Sequence, residues 1–149
     1  MPDPGLAPGD VLAVHQLLAL YGHHLDDGEF GALAEIFTAD ATVVFAGRDR
    51  PPIEGIDAIV AFFATAAGSS AHHVCDVVVS GGPGEVRVRS SLAVPYTRPE
   101  HDAHRWHGGT YDDVVVRTGA GWRIHRRTIT GRWQLTTDAR PVPQHRRTS

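Results

Sequence analysis

The stretches EVRVRSSLAVPYT (85–97), HRWHGGTYDDVVVR (104–117) and WRIHRRTITGRW (122–133) decide the fold of this chain. Each is rich in β-branched and aromatic residues, which is typical of strands. A polar loop and a Gly-rich turn separate the three, so consecutive strands are expected to pair as antiparallel hairpins. A further strand is predicted at 72–80, before the hairpin turn Gly-Gly-Pro-Gly at 81–84. The carboxyl-terminal half is therefore predicted to form one antiparallel sheet.

The amino-terminal half has helical rather than strand periodicity, with apolar side chains recurring three or four residues apart. Asp10 is in position to cap the first helix. The predicted elements are helices at 10–24 and 56–67, a short helix capped by Asp27, a turn at 38–40 and a strand at 41–45. Helices segregated from an antiparallel sheet define the α+β class. The absence of strand–helix–strand alternation argues against Rossmann and P-loop folds.

Composition excludes several classes of function. The chain has 149 residues, one cysteine and a formal net charge of −3. Without a basic stripe, no nucleic-acid partner is expected, and no apolar run is long enough to cross a membrane. A single cysteine cannot form an intramolecular disulfide and no signal-peptide pattern is seen, so a cytoplasmic location is expected. The predicted organisation is a flexible arm at 1–9, one domain at 10–133 and a polar tail at 134–149.

Five motifs carry a resemblance to a known family. They are YGHHLD (21–26), GEFGALAEIFTADA (28–41), IEGIDAIVAF (53–62), AHHV (71–74) and GAGWRI (119–124). Their order and spacing resemble the SnoaL-like group of the NTF2-like superfamily, which is similar to polyketide cyclases, scytalone dehydratase, bile-acid dehydratases and ketosteroid isomerases. The resemblance implies a cone-shaped cavity between a curved sheet and about three helices, and frequently a homodimer formed through the sheet. The acid–base mechanism expected of such a cavity needs no cofactor.

The resemblance also implies catalytic residues at the end of the first helix. In the similar dehydratases a Tyr and an Asp at the positions of Tyr21 and Asp26 face the cavity. A carboxylate in an apolar cavity becomes a usable base near neutral pH. Alternatively, Asp26 and Asp27 form only a helix-end turn and Tyr21 is a core residue.

Two adjacent histidines are the candidates for the second catalytic group. Because neighbouring strand residues point to opposite faces, one of His72 and His73 faces inward, and alternation alone does not decide which. Alignment with the family's catalytic histidine favours His72, with Asp76 in place of an amide. His73 remains a candidate substrate-binding residue.

Three further residues are candidates for substrate binding. Tyr96 stands where scytalone dehydratase has a second histidine, and a tyrosine donates a hydrogen bond but is a poor base near neutral pH. His107 and Tyr111 share one face of a predicted strand and are expected to line the cavity. The run His101, His104, His107 fits neither one strand face nor one helix face, so no metal site is assigned.

These residues predict a lyase, cyclase or isomerase that acts on a hydrophobic, carbonyl-bearing small molecule. Two alternatives remain. One is a limonene-type epoxide hydrolase, which needs an Asp-Arg-Asp set for which Arg89 is a possible centre. The other is a non-catalytic small-molecule-binding or dimerisation module. The arginines of the last strand, Arg127 among them, are expected on the solvated or dimer face of the sheet.

Overall fold

The computed structural model describes residues 5–66, 68–98 and 101–137. Its elements are α1 (Pro8–Asp26), a 3-10 helix (Phe30–Glu35), β1 (Phe37–Phe45), β2 (Ile53–Glu54), α2 (Ile56–Thr65), β3 (Ser69–Ser70), β4 (His73–Gly81), β5 (Glu85–Arg98), β6 (His101–Thr118) and β7 (Gly121–Thr137). The α+β prediction is confirmed, because the helices precede the long strands and pack against their sheet.

The seven strands form one sheet in the order β2-β1-β7-β6-β5-β3, and β4 also pairs with β5. The long hairpins β4–β5, β5–β6 and β6–β7 are antiparallel, as predicted. β1, however, runs parallel to β7. The expectation of a wholly antiparallel sheet is therefore wrong at this position. Most of the chain lies between β1 and β7, so no tight turn dictates their relative direction.

Helix α1 packs its apolar stripe onto the sheet. It buries Val14, Leu18, Tyr21 and Leu25 among other residues. The helix begins at Pro8. The missing N–H of proline costs nothing there, because the first N–H groups of a helix have no acceptor within the helix. Asp10 is not its cap. The Asp10 carboxylate instead accepts hydrogen bonds from Arg117 Nη1 at 2.7 Å and Trp122 Nε1 at 3.0 Å, which ties the start of α1 to the β6–β7 hairpin.

Two further local predictions are corrected. Asp27 follows the end of α1 and does not cap the 3-10 helix, whose preceding residue is Glu29. The predicted turn at 38–40 lies inside β1, where the pairing with β7 shifts register between Phe37 and Thr42. This irregularity accommodates the polar residues at 38–40 while the strand continues.

The boundaries predicted for the arm and tail also differ. The first helix includes Pro8, and β7 continues to Thr137, so part of the predicted tail at 134–149 belongs to the sheet. The rest of that tail lies outside the described residues. In the part of the chain that the structure describes, no helix has the length and apolar character needed to cross a membrane.

Candidate functional site

A cavity of about 650 Å³ lies between the sheet and the helices. This volume is in the usual range for small-molecule sites. Its apolar lining comprises Leu25, Phe30, Phe45, Phe62, Phe63, Leu92, Val94 and Ile129. Its polar lining includes Tyr21, His72, Tyr96, His107 and Tyr111. Six of the seven residues assigned from the sequence as catalytic or substrate-binding are therefore in or next to one cavity, since Asp26 contacts His72 directly.

The pair formed by His72 and Asp26 is the most strongly constrained part of the site. Asp26 is the last residue of α1, and His72 immediately precedes β4. His72 Nδ1 lies 2.6 Å from Asp26 Oδ1. The His72 backbone N–H donates to Asp26 Oδ2 at 2.7 Å, and Ser70 Oγ donates to Oδ1 at 2.9 Å. Three hydrogen bonds thus hold one carboxylate, and the carboxylate fixes the imidazole ring.

A glycine in the middle of α1 makes this contact possible. A Cβ at Gly22 would lie 3.1 Å from the Cβ of His72. Glycine inside a helix costs about 1 kcal/mol relative to alanine. At this position the missing side chain lets the segment that carries His72 pack closely against the helix that carries Asp26.

The protonation of His72 follows from these contacts. With Asp26 ionised, Nδ1 carries a proton and donates it to the carboxylate, which leaves Nε2 with a free lone pair. No described residue hydrogen-bonds to Nε2, and His72 lines the cavity. Burial lowers the pKa of His72 below its ordinary value, although the Asp26 hydrogen bond and charge act in the opposite direction. The imidazole is therefore a neutral base at pH 7.

The floor of the cavity is formed by two tyrosines that contact a buried cation. The guanidinium carbon of Arg127 lies 4.2 Å from the ring centroid of Tyr21 and 3.9 Å from that of Tyr111. Arg127 Nε and Nη2 each donate to the Asp113 carboxylate at 2.8 Å, and both side chains are fully buried. Burial is the largest single effect and lowers the pKa of Arg127. The charge and hydrogen bonds of Asp113, together with Tyr21 and Tyr111, raise it overall. Arg127 therefore remains a cation.

Burial keeps the two phenols protonated. It raises the pKa of Tyr21, and raises that of Tyr111 well above its ordinary value, against the opposing charge of Arg127. The side chains of Tyr21 and Tyr111 also interact with each other. A neutral phenol donates a hydrogen bond, so the pair can stabilise a substrate oxygen that becomes negative. The rings of Tyr21 and His72 also pack in a T-shaped arrangement, with centroids 5.9 Å apart.

No local pattern in the sequence indicates the buried pair of Arg127 and Asp113, and the run of arginines predicts Arg127 on the solvated or dimer face. The expectation is wrong because β7 contains a bulge. Val115 pairs with Ile124 whereas Val114 pairs with Arg126, so His125 is the extra residue. An extra residue inverts the in-and-out alternation of all that follow. Arg127 consequently points inward, and Arg126 is exposed.

The remaining assigned residues divide between the cavity and the surface. His107 and Tyr96 line the cavity, with ring centroids 6.5 Å apart. His73 is exposed, and its Nδ1 lies 3.1 Å from the Ala71 carbonyl oxygen, so the expectation that it binds substrate is not supported by its position. The side chain of His101 lies outside the described residues. Within the described part, no group of three or more His, Cys, Asp or Glu side chains could hold a metal ion.

Arg89, the possible centre of an epoxide hydrolase set, does not belong to this arrangement. Its side chain is 58% exposed and contacts Asp112 at 3.5 Å. It borders a smaller hollow of about 250 Å³ together with Asp112 and Val78, and it is not part of the main cavity's lining. No second carboxylate is paired with it among the described residues.

Comparison with known proteins identifies the family. A family model for the SnoaL-like domain matches residues 9–128, whereas no curated protein matches the chain significantly in sequence.

Three solved structures illustrate the shared fold. An NTF2-like protein with a cystatin-like fold from Novosphingobium aromaticivorans is 24% identical, with 83% of this chain and 82% of that chain covered and a TM-score of 0.67. A candidate scytalone dehydratase from the same organism is 21% identical, with 93% of this chain and 95% of that chain covered and a TM-score of 0.77. LinA is 13% identical, with 91% of this chain and 95% of that chain covered and a TM-score of 0.81. The NTF2-like fold inferred from the sequence motifs is thus confirmed.

Proposed function

This chain belongs to the SnoaL-like domain family, and we propose that it is a cofactor-independent lyase, cyclase or isomerase acting on a hydrophobic, carbonyl-bearing small molecule. The observation that carries the proposal is the 2.6 Å contact between His72 Nδ1 and Asp26 Oδ1 at the wall of the cavity. A base oriented by a second group is the arrangement that general acid–base catalysis requires.

The proposed first step is proton removal from a carbon next to the substrate carbonyl. His72 Nε2 accepts that proton, and the C–H electron pair moves into an enolate whose charge lies on the carbonyl oxygen. Asp26 stabilises the imidazolium that forms. In this mechanism the pair formed by Tyr21 and Tyr111, which lines the cavity, donates a hydrogen bond to the enolate oxygen. Return of the proton to another carbon gives isomerisation, loss of a β-hydroxyl as water gives dehydration, and attack on a second carbonyl gives ring closure.

This assignment gives Asp26 a different role from the one expected from the sequence. Asp26 was expected to act as a base inside the apolar cavity. Its carboxylate is instead occupied by Ser70 and by two nitrogens of His72. We therefore assign proton transfer to His72 and orientation of its ring to Asp26. The chain shares its fold with a candidate scytalone dehydratase. This similarity is consistent with dehydration, one of the three outcomes above.

The test is α-proton exchange of 2-tetralone, a hydrophobic bicyclic ketone, in D₂O at neutral pH, followed by proton NMR. We expect the wild-type protein to accelerate exchange and His72→Gln to reduce the acceleration by about 100-fold or more. His73→Gln is the matched control, because it removes the adjacent exposed histidine and should leave the rate unchanged. Absence of wild-type acceleration, or equal rates in the two variants, would favour the non-catalytic binding module.

The homodimer expected through the sheet is also a proposal. Three apolar side chains are exposed on neighbouring strands: Trp106 (39%), Trp133 (49%) and Leu135 (55%). Trp106 pairs directly with Leu135 across β6 and β7, and Trp133 packs its ring over Gly108. Sedimentation equilibrium of the wild-type protein and of Trp106→Lys tests the proposal. A monomeric wild-type protein, or a dimer unaffected by the substitution, would refute contact through this face.

A further inference from the structure

Positive charge is concentrated at the cavity although the chain as a whole is slightly acidic. Arg48, Arg50 and Arg105 all belong to the lining, and no Asp or Glu is among the described lining residues. The whole chain has 17 acidic and 14 basic residues. The excess of cations is therefore a property of this cavity and not of the composition.

Two of these arginines have unused hydrogen-bonding capacity. Arg48 and Arg105 form no ion pair with a carboxylate in the described part of the chain, unlike Arg89, Arg117 and Arg127. Arg105 Nε is moreover buried without a hydrogen-bond partner among the described residues. A buried donor without an acceptor is costly, and a charged acceptor satisfies a guanidinium most strongly.

The third arginine is held by aromatic rings of the apolar wall. The Arg50 guanidinium carbon lies 4.6 Å from the centroid of Phe62 and 5.0 Å from that of Phe45. This stacking leaves the edge of the planar guanidinium available for a second interaction. It also places a cation directly beside the surface that would hold the hydrophobic body of a ligand.

The cationic lining and the proposed catalytic wall belong to the same cavity. Arg48 and Arg105 line it together with His107 and His72. Burial lowers the pKa of His107, and the charge of Arg48 lowers it further. One ligand that occupies this cavity can therefore meet both the arginines and His72.

We infer that the substrate is a hydrophobic acid, which carries an anionic group such as a carboxylate in addition to the carbonyl. Arg48 and Arg105 bind the anion, the phenylalanine wall contacts the apolar body, and the carbonyl lies against His72 and the floor tyrosines. The inference rests on the proposed function only in taking this cavity as the substrate site. It narrows the substrate class from hydrophobic carbonyl compounds to those bearing a negative charge.

The test compares 2-naphthoate with its neutral analogue 2-naphthamide by isothermal titration calorimetry at low ionic strength. We expect naphthoate to bind the wild-type protein about tenfold more tightly or better, a preference that falls as salt is added. In the variant Arg48→Gln/Arg105→Gln the preference should disappear while naphthamide affinity stays unchanged, which shows that the cavity is intact. Arg87→Gln, which removes an exposed cation that borders only the smaller hollow, is the matched control and should keep the preference.

Equal affinities for the two probes, no naphthoate binding, or a preference that survives the double substitution would overturn the inference. Because binding is measured without turnover, its outcome is separable from that of the exchange assay. Naphthoate preference without tetralone exchange would retain the anion site and remove the catalytic proposal. Tetralone exchange without a preference for naphthoate would retain the catalytic proposal and remove the anion site.

Discussion

Replacing Asp113 by asparagine is expected to destabilise the protein strongly. The variant keeps the size of the side chain but removes the charge that compensates Arg127. In the wild-type protein both side chains are fully buried and joined by two hydrogen bonds of 2.8 Å. Arg127 Nη1 already lacks a hydrogen-bond partner among the described residues, so the local structure has no second acceptor that could replace Asp113.

The expected loss of folding stability follows from leaving the Arg127 cation buried without its partner. Removing one member of a buried ion pair costs about 3–5 kcal/mol, whereas an exposed pair contributes about 0–1 kcal/mol. Asp112 provides the matched control. It is the preceding residue on β6, and it contacts Arg89 at 3.5 Å with both side chains roughly half exposed. We therefore expect Asp112→Asn to cost less than about 1 kcal/mol.

The assay is urea unfolding followed by circular dichroism, with the free energy of unfolding extrapolated to water. A third variant, Arg127→Met/Asp113→Leu, replaces the pair by apolar side chains and should be more stable than Asp113→Asn alone, because it removes the uncompensated charge. If Asp113→Asn and Asp112→Asn had the same small effect, the reasoning that Arg127 is buried as a charged group would be refuted.

Three further outcomes are expected from the same geometry. Asp26→Asn should reduce tetralone exchange by about 100-fold because the imidazolium loses its stabilising charge, and a rate within twofold of wild type would contradict this role. Because burial lowers the pKa of His72, and the neutral form is the base, kcat/KM should rise with pH through a midpoint below the 6.5 of an unperturbed histidine; a midpoint above that value would contradict it. Gly22→Ala should slow exchange by about tenfold by displacing His72, while circular dichroism shows a folded protein; an unchanged rate would show that the helix contact does not position His72.

The sequence predicted helices and hairpins correctly wherever a local pattern determines local structure. The helical spacing of Val14, Leu18 and Tyr21 correctly predicted α1. The β-branched runs and short turns correctly predicted the three long hairpins. These features could be read directly because a helix or a hairpin depends on residues that are near one another in the chain.

The positions of the site residues needed more than local pattern. Asp26 and His72 were nominated through family resemblance, but their contact joins residues 46 positions apart. Alternation could not choose between His72 and His73, because the choice depends on where the chain enters β4. The packing of that entry segment against Gly22 and Asp26 places His72 in the cavity and leaves His73 exposed.

By itself, then, the sequence determined the α+β class, the order of helices and hairpins, and the residue types available for chemistry. The tertiary structure alone decided that β1 lies parallel to β7, that the bulge at His125 turns Arg127 inward, and that Arg48 and Arg105 line one cavity. The physical reason is that strand direction between distant segments, side-chain phase after a bulge, and proximity across a curved sheet all depend on long-range packing. A local periodicity contains no information about these three properties.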